Sequence, residues 1–121
     1  MINILFQLYY KFRLRNFRKK GVKIGNNTFI AHTVHIDKQK EAKVEIGNNC
    51  FITRNVMILS HVDTHVGGPL GIWKNLGLRR LKGDVIIGDN VFVGVQSVIM
   101  PGIKIGNNSV TGALSLVNND V

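Results

Sequence analysis

The sequence predicts an all-β solenoid, a parallel β-helix of about four coils, with an N-terminal α-helix ahead of it and one long inserted loop. Three observations carry this expectation. Four segments are near copies of one another: VKIGNNTFIAHTV from Val22, VEIGNNCFITRNV from Val44, VIIGDNVFVGVQSV from Val85 and IKIGNNSVTGALSLV from Ile103. Within them Ile or Val recurs at every sixth place, and Gly-Asn-Asn or Gly-Asp-Asn punctuates each copy. A helical period of about 3.6 residues cannot keep one face apolar at a spacing of six, whereas short strands joined by corners can. β-Branched residues suit the strands, and Asn and Gly tolerate left-handed backbone at the corners.

The first element is an amphipathic helix over residues 1–21. Ile4, Leu5, Leu8, Tyr9, Phe12, Leu14 and Phe17 form a broad apolar stripe. Gly21 offers a stop, and Arg18, Lys19 and Lys20 suit the negative end of the helix dipole. Such a helix can cap the exposed first edge of a solenoid. Being basic and amphipathic, it can also make a peripheral contact with an anionic membrane.

Residues 22–121 form the β-helix. The first places of its sixes are Ile24, Ile30 and Ile36; Ile46, Ile52 and Ile58; Ile87, Val93 and Ile99; and Ile105, Thr111 and Val117. Only Thr111 breaks the Ile/Val rule. A small or β-branched residue usually follows four places on, as at Thr28, Val56 and Ser97. Two steps exceed the 18-residue coil that separates Ile87 from Ile105. Ile24 to Ile46 spans 22 residues, which makes 38–43 a small polar loop; Ile46 to Ile87 spans 41, which puts a long insertion at about 64–86. Insertions in stacked-repeat folds emerge from one face, often the binding face.

Composition narrows the function classes. With 45% apolar and 19% charged residues the chain is globular, and one cysteine, Cys50, excludes an internal disulfide framework and fits a reducing, cytoplasmic setting. No apolar run approaches the roughly 20 residues of a membrane span. At the N-terminus the basic residues follow the apolar ones, which argues against a secretory signal. The net charge of +9 is a local feature, because seven basic residues and no acid lie within the first 23. No stacking platform or recognised binding fold accompanies them, so nucleic acid is not an expected partner.

The hexapeptide repeat from Lys23 to Val121 resembles that of the left-handed β-helix acyltransferases of the O-acetyltransferase type. The resemblance implies a left-handed helix, a homotrimer, acetyl-CoA as acyl donor and a sugar-type hydroxyl acceptor in polysaccharide biosynthesis. It implies no metal. ILSH, ending the second coil at the edge of the insertion, looks like the family's base-bearing turn, which makes His61 the expected general base and His65 its alternative. Imidazole suits a base that works near neutral pH. Asp63 or a backbone carbonyl could fix the tautomer of His61. Gly94, Ser97, Gly112 and Ala113 match small residues beside the pantetheine arm, and Lys82 in the insertion could meet the coenzyme's charge, with Lys74, Arg79 and Arg80. These small residues could equally serve tight solenoid corners. Outward-facing Phe29, Phe51 and Phe92 fit an interface closed by cyclic symmetry.

The chain departs from that family at Phe92, where tryptophan is common, at Leu114, where glycine is expected, and at Asn118–Asn119, where a lysine is lost. The family also implies a further partial coil and tail beyond Val121. A truncated or non-catalytic trimeric β-helix is therefore an alternative reading. A third is a zinc-dependent, carbonic anhydrase-like hydratase using His61, His65 and either His32 or His35.

Overall fold

A computed structural model of the chain describes residues 3–62 and 81–121. Helix α1 (Ile4–Lys19) opens it, with Asn3 as N-cap accepting from the Leu5 backbone N–H at 2.9 Å. Coil one contains β1 (Lys23–Ile24), β2 (Phe29–Ile30) and β3 (His35–Asp37); coil two contains β4 (Val44–Ile46), β5 (Phe51–Ile52) and β6 (Met57–Leu59). Strands β7 (His61–Val62) and β8 (Leu81–Lys82) pair antiparallel at the foot of the excursion. Coil three follows with β9 (Val85–Ile87), β10 (Phe92–Val93) and β11 (Val98–Ile99), and coil four with β12 (Lys104–Ile105), β13 (Val110–Thr111) and β14 (Leu116–Val117). Three parallel sheets, β1-β4-β9-β12, β2-β5-β10-β13 and β3-β6-β11-β14, form the walls of a left-handed parallel β-helix.

The six-residue rhythm sets the register. Ile24, Ile46, Ile87 and Ile105 stack in one column, Ile30, Ile52, Val93 and Thr111 in a second, and Ile36, Ile58, Ile99 and Val117 in a third. All are buried except the half-buried Ile36. The exception to the Ile/Val rule leaves a mark: the Thr111 hydroxyl is buried with no hydrogen-bond partner among the described residues.

The first corner of each coil is locked by side chains. Asn48 accepts from the Asn26 N–H, Asp89 from the Asn48 N–H and Asn107 from the Asp89 N–H, each at 2.7 Å. Asn27, Asn49, Asn90 and Asn108 then turn the chain with φ between 55° and 61°, in the left-handed region that asparagine tolerates. At the next corner Asn55, Gln96 and Leu114 adopt the same backbone. Glycine at the first corner is required for a different reason, close approach. A Cβ on Gly47 would lie 2.3 Å from Asp89 Oδ1 and 2.5 Å from the Gly88 carbonyl oxygen.

Helix α1 lies against coil one. Tyr10 donates to the Thr28 carbonyl and accepts from the Ile30 N–H at 3.1 Å, while Arg13 donates to the Ala31 carbonyl at 2.9 Å. Burial pushes the Tyr10 phenol above its ordinary pKa. Its ring stacks on Phe29, which stacks on Phe51 and then Phe92, with centroids 5.3, 5.0 and 5.6 Å apart. Leu14 and Phe17 pack on the core. The predicted single stripe is thus divided, because Ile4, Leu5, Leu8 and Phe12 are exposed on the other side of the helix.

Gly47 and Gly106 provide a matched test of the close-approach argument. Gly47→Ala is expected to destabilise by about 1–3 kcal/mol through overpacking. A Cβ on Gly106 meets only the Val121 carbonyl oxygen, at 3.3 Å. Gly106→Ala should therefore cost less than about 1 kcal/mol by urea unfolding. Equal losses at the two positions would refute a packing origin.

Candidate active site

Both departures from the 18-residue rhythm leave the solenoid at the same corner, after the third strand of a coil. The shorter follows β3 and the longer follows β6. The corner between them brings His61 beside Asp37, the last residue of β3, and Gln39 of the coil-one loop. His61 Nδ1 pairs with a carboxylate oxygen of Asp37, and His61 Nε2 lies 3.3 Å from the Gln39 side-chain nitrogen. In the neutral imidazole, an Nδ1–H that donates to Asp37 leaves the lone pair on Nε2, where the Gln39 amide can donate. The two side chains of the His–Asp pair are only 22% and 21% exposed.

Backbone and hydroxyl groups hold this arrangement. Ser60 is fully buried; its N–H donates to the Asp37 carbonyl at 3.1 Å, and its Oγ accepts from the Gln39 N–H at 2.9 Å. The hydroxyl next to His61 is thereby committed to positioning the loop, in no position to serve as a nucleophile. On the other side, β7 and β8 set His61 opposite Lys82, whose ammonium pairs with Glu41 of the coil-one loop.

The remaining candidates form a second group. Gly94, Ser97, Gly112 and Ala113 meet at the corner between the second and third sheets, in coils three and four. Ser97 is fully buried and donates to the Gly112 carbonyl at 2.9 Å. A Cβ on Gly94 would lie 2.5 Å from the Ala113 nitrogen, so this glycine admits the coil above it. Gly112 and Ala113 are exposed, and the nearest atom to a Cβ on Gly112 is Ser115 Oγ at 3.7 Å. Asp63, His65, Lys74, Arg79 and Arg80 lie outside the described residues. Among the described residues no three His, Cys, Asp or Glu side chains form a group able to hold a metal.

Sequence reading did not single out Asp37 or Gln39. The available signal was that both excess segments leave the same corner, which puts the 38–43 loop beside the foot of the long one. If Asp37 fixes the tautomer, imidazole nitrogen shifts should show Nδ1–H in the native protein and a tautomer mixture in Asp37→Ala. An unchanged tautomer would remove Asp37 from this role.

Residues 84–119 match the bacterial transferase hexapeptide family (six repeats). The chain is 51% identical to a chloramphenicol acetyltransferase of Escherichia coli over 48 residues, 40% of this chain and 23% of the relative. Its fold is similar to a hexapeptide-repeat-containing acetyltransferase of Vibrio cholerae O1 biovar eltor solved with acetyl coenzyme A. That similarity has a TM-score of 0.66 at 25% identity and covers 84% of this chain and 52% of the other. A galactoside acetyltransferase solved with coenzyme A gives 0.61 at 27% identity, covering 88% and 60%. The chain thus spans under a quarter of that curated relative, and 52% and 60% of the two solved ones. By its repeat and by its fold, it is a hexapeptide-repeat protein built on the left-handed β-helix of these acetyltransferases.

Proposed function

We propose that this chain transfers an acetyl group from acetyl-CoA to a hydroxyl of a sugar or polysaccharide precursor in the cytoplasm, with His61 as general base. The observation that carries this reading is the His61 imidazole, held through Nδ1 by Asp37 with Nε2 turned to the Gln39 amide at the foot of the excursion. The acceptor hydroxyl takes the place of the Gln39 amide and donates to Nε2. As its oxygen attacks the thioester carbonyl, the proton passes to Nε2, and Asp37 stabilises the imidazolium. Collapse of the tetrahedral intermediate breaks the carbon–sulfur bond. The departing thiolate then recovers the proton from His61, leaving acetyl ester and coenzyme A. Asp37 acts through His61 as a positioning residue.

The donor groove is assigned to the exposed edge at Gly112 and Ala113, where backbone without a bulky side chain lets the pantetheine arm approach. Gly94 and Ser97 shape that edge from beneath. Lys82 reaches a coenzyme phosphate only by exchanging Glu41 for it. The edge and His61 lie at different corners of one triangular prism, so a second copy must supply one of them. Exposed Phe51, Phe92, Met57, Val95, Val110 and Leu116 provide the apolar faces for such an assembly, and a closed trimer satisfies all three copies.

Release of thiol from acetyl-CoA with a panel of sugar acceptors tests the chemistry. His61→Ala should lower kcat by roughly a hundredfold or more, and Asp37→Asn should lower kcat more than it raises KM. No thiol release by the native protein with any acceptor would favour the non-catalytic scaffold. Mixed assemblies test the shared site separately. His61→Ala and Gly112→Trp proteins, each inactive alone, should regain activity when refolded together. Failure to complement would place both groups of residues within one copy.

A further inference from the structure

We propose that the outward side of α1 is a docking surface for an anionic phospholipid membrane. Tyr10, Arg13, Leu14 and Phe17 recur at i, i+3, i+4 and i+7, and this side meets coil one. Ile4, Leu8 and Phe12, with Leu5, lie on the opposite side and are between 58% and 73% exposed. Further along the outward side the apolar residues give way to Arg15 and Lys19, both exposed. Phe6 and Tyr9 extend the apolar surface around the helix into a groove of about 490 Å³ against Phe29 and Phe51. The result is an apolar band that no described residue covers, beside a basic end, the pattern of a helix lying in a membrane interface.

Charge selects lipid over a second copy of the chain. Helix α1 carries Lys11, Arg13, Arg15, Arg18 and Lys19 and no acid, so two copies of α1 brought together would repel. Among the described residues the coils offer no acidic patch in exchange. Of the chain's seven acids, Asp37 pairs with His61, Glu41 with Lys82 and Glu45 with Lys23. Asp84, Asp89 and Asp120 accept from backbone N–H groups at 2.7, 2.7 and 2.8 Å, and Asp63 lies outside the described residues. An anionic bilayer supplies both halves of the complement, phosphate for the cations and acyl chains for the apolar residues. No described helix is long and apolar enough to cross a membrane, so the contact is peripheral.

Co-sedimentation of the full chain with vesicles, of phosphatidylcholine alone or rich in phosphatidylglycerol, provides the test. Binding is expected to the anionic vesicles, to weaken with salt and to be at least about tenfold lower for neutral ones. Leu8→Glu with Phe12→Glu should reduce binding at least tenfold. Lys11→Gln, Arg15→Gln and Lys19→Gln should each reduce it about fivefold. These residues point away from coil one, so unfolding and sedimentation of the variants without vesicles should match the native protein. Equal binding to both vesicles, or binding to neither, overturns the proposal. So does loss of a higher assembly in the Leu8→Glu, Phe12→Glu variant without any vesicle binding by the native chain, which would assign the surface to a second copy.

Discussion

The hydrogen bond from a backbone N–H of one coil to the Asn or Asp side chain of the next is the constraint on which the architecture depends. Asn48, Asp89 and Asn107 repeat it at 2.7 Å. Each oxygen fits only because the glycine preceding the donor has no Cβ, as at Gly25, Gly47 and Gly88, where one would come within 2.3 Å. Residue type, backbone turn and coil spacing are therefore fixed together. A residue added at this corner would move every side-chain oxygen off its donor. Extra chain has to leave elsewhere, and both excess segments leave at the third corner, between a third-sheet strand and the next first-sheet strand.

That exclusion builds the candidate site. Asp37 ends β3 and His61 begins β7, 24 residues apart in the chain, and coil stacking carries one over the other. Ser60 then ties the shorter loop to the longer by accepting from Gln39. The His61 imidazole is thus supported by strand ends and a buried hydroxyl. Its orientation derives from the same register that buries the Ile columns, which is the kind of support a geometrically demanding group requires.

The columns were legible because a six-residue period with β-branched residues has one structural solution. The corners were legible because Asn and Gly mark left-handed backbone and close approach. Pairing across coils was harder to read. Asp37 looks like an ordinary polar residue ahead of KQKEAK, and nothing local in the sequence marks it as a neighbour of His61. The helix failed differently: periodicity identifies apolar residues without saying which surface covers them, so Leu8 and Leu14 looked equivalent. Ser97 and Gly112 were also indistinguishable as small residues, although one is fully buried and the other exposed. That difference follows from their places relative to the corner, four places after Val93 and one place after Thr111.

The division between frame and excursion has a consequence for specificity. His61 is fixed by Asp37, Gln39 and Ser60, all on coils one and two, whereas the excursion is joined to the frame through the β7–β8 pair. Changes beyond that pair leave these contacts to His61 in place. Under the proposed transfer chemistry, base strength belongs to the repeat and acceptor choice to the insertion. The two demands conflict if one element must meet both, since an acceptor pocket benefits from variation and a base from invariance. Placing all surplus chain at one corner lets a single turn of the solenoid serve both.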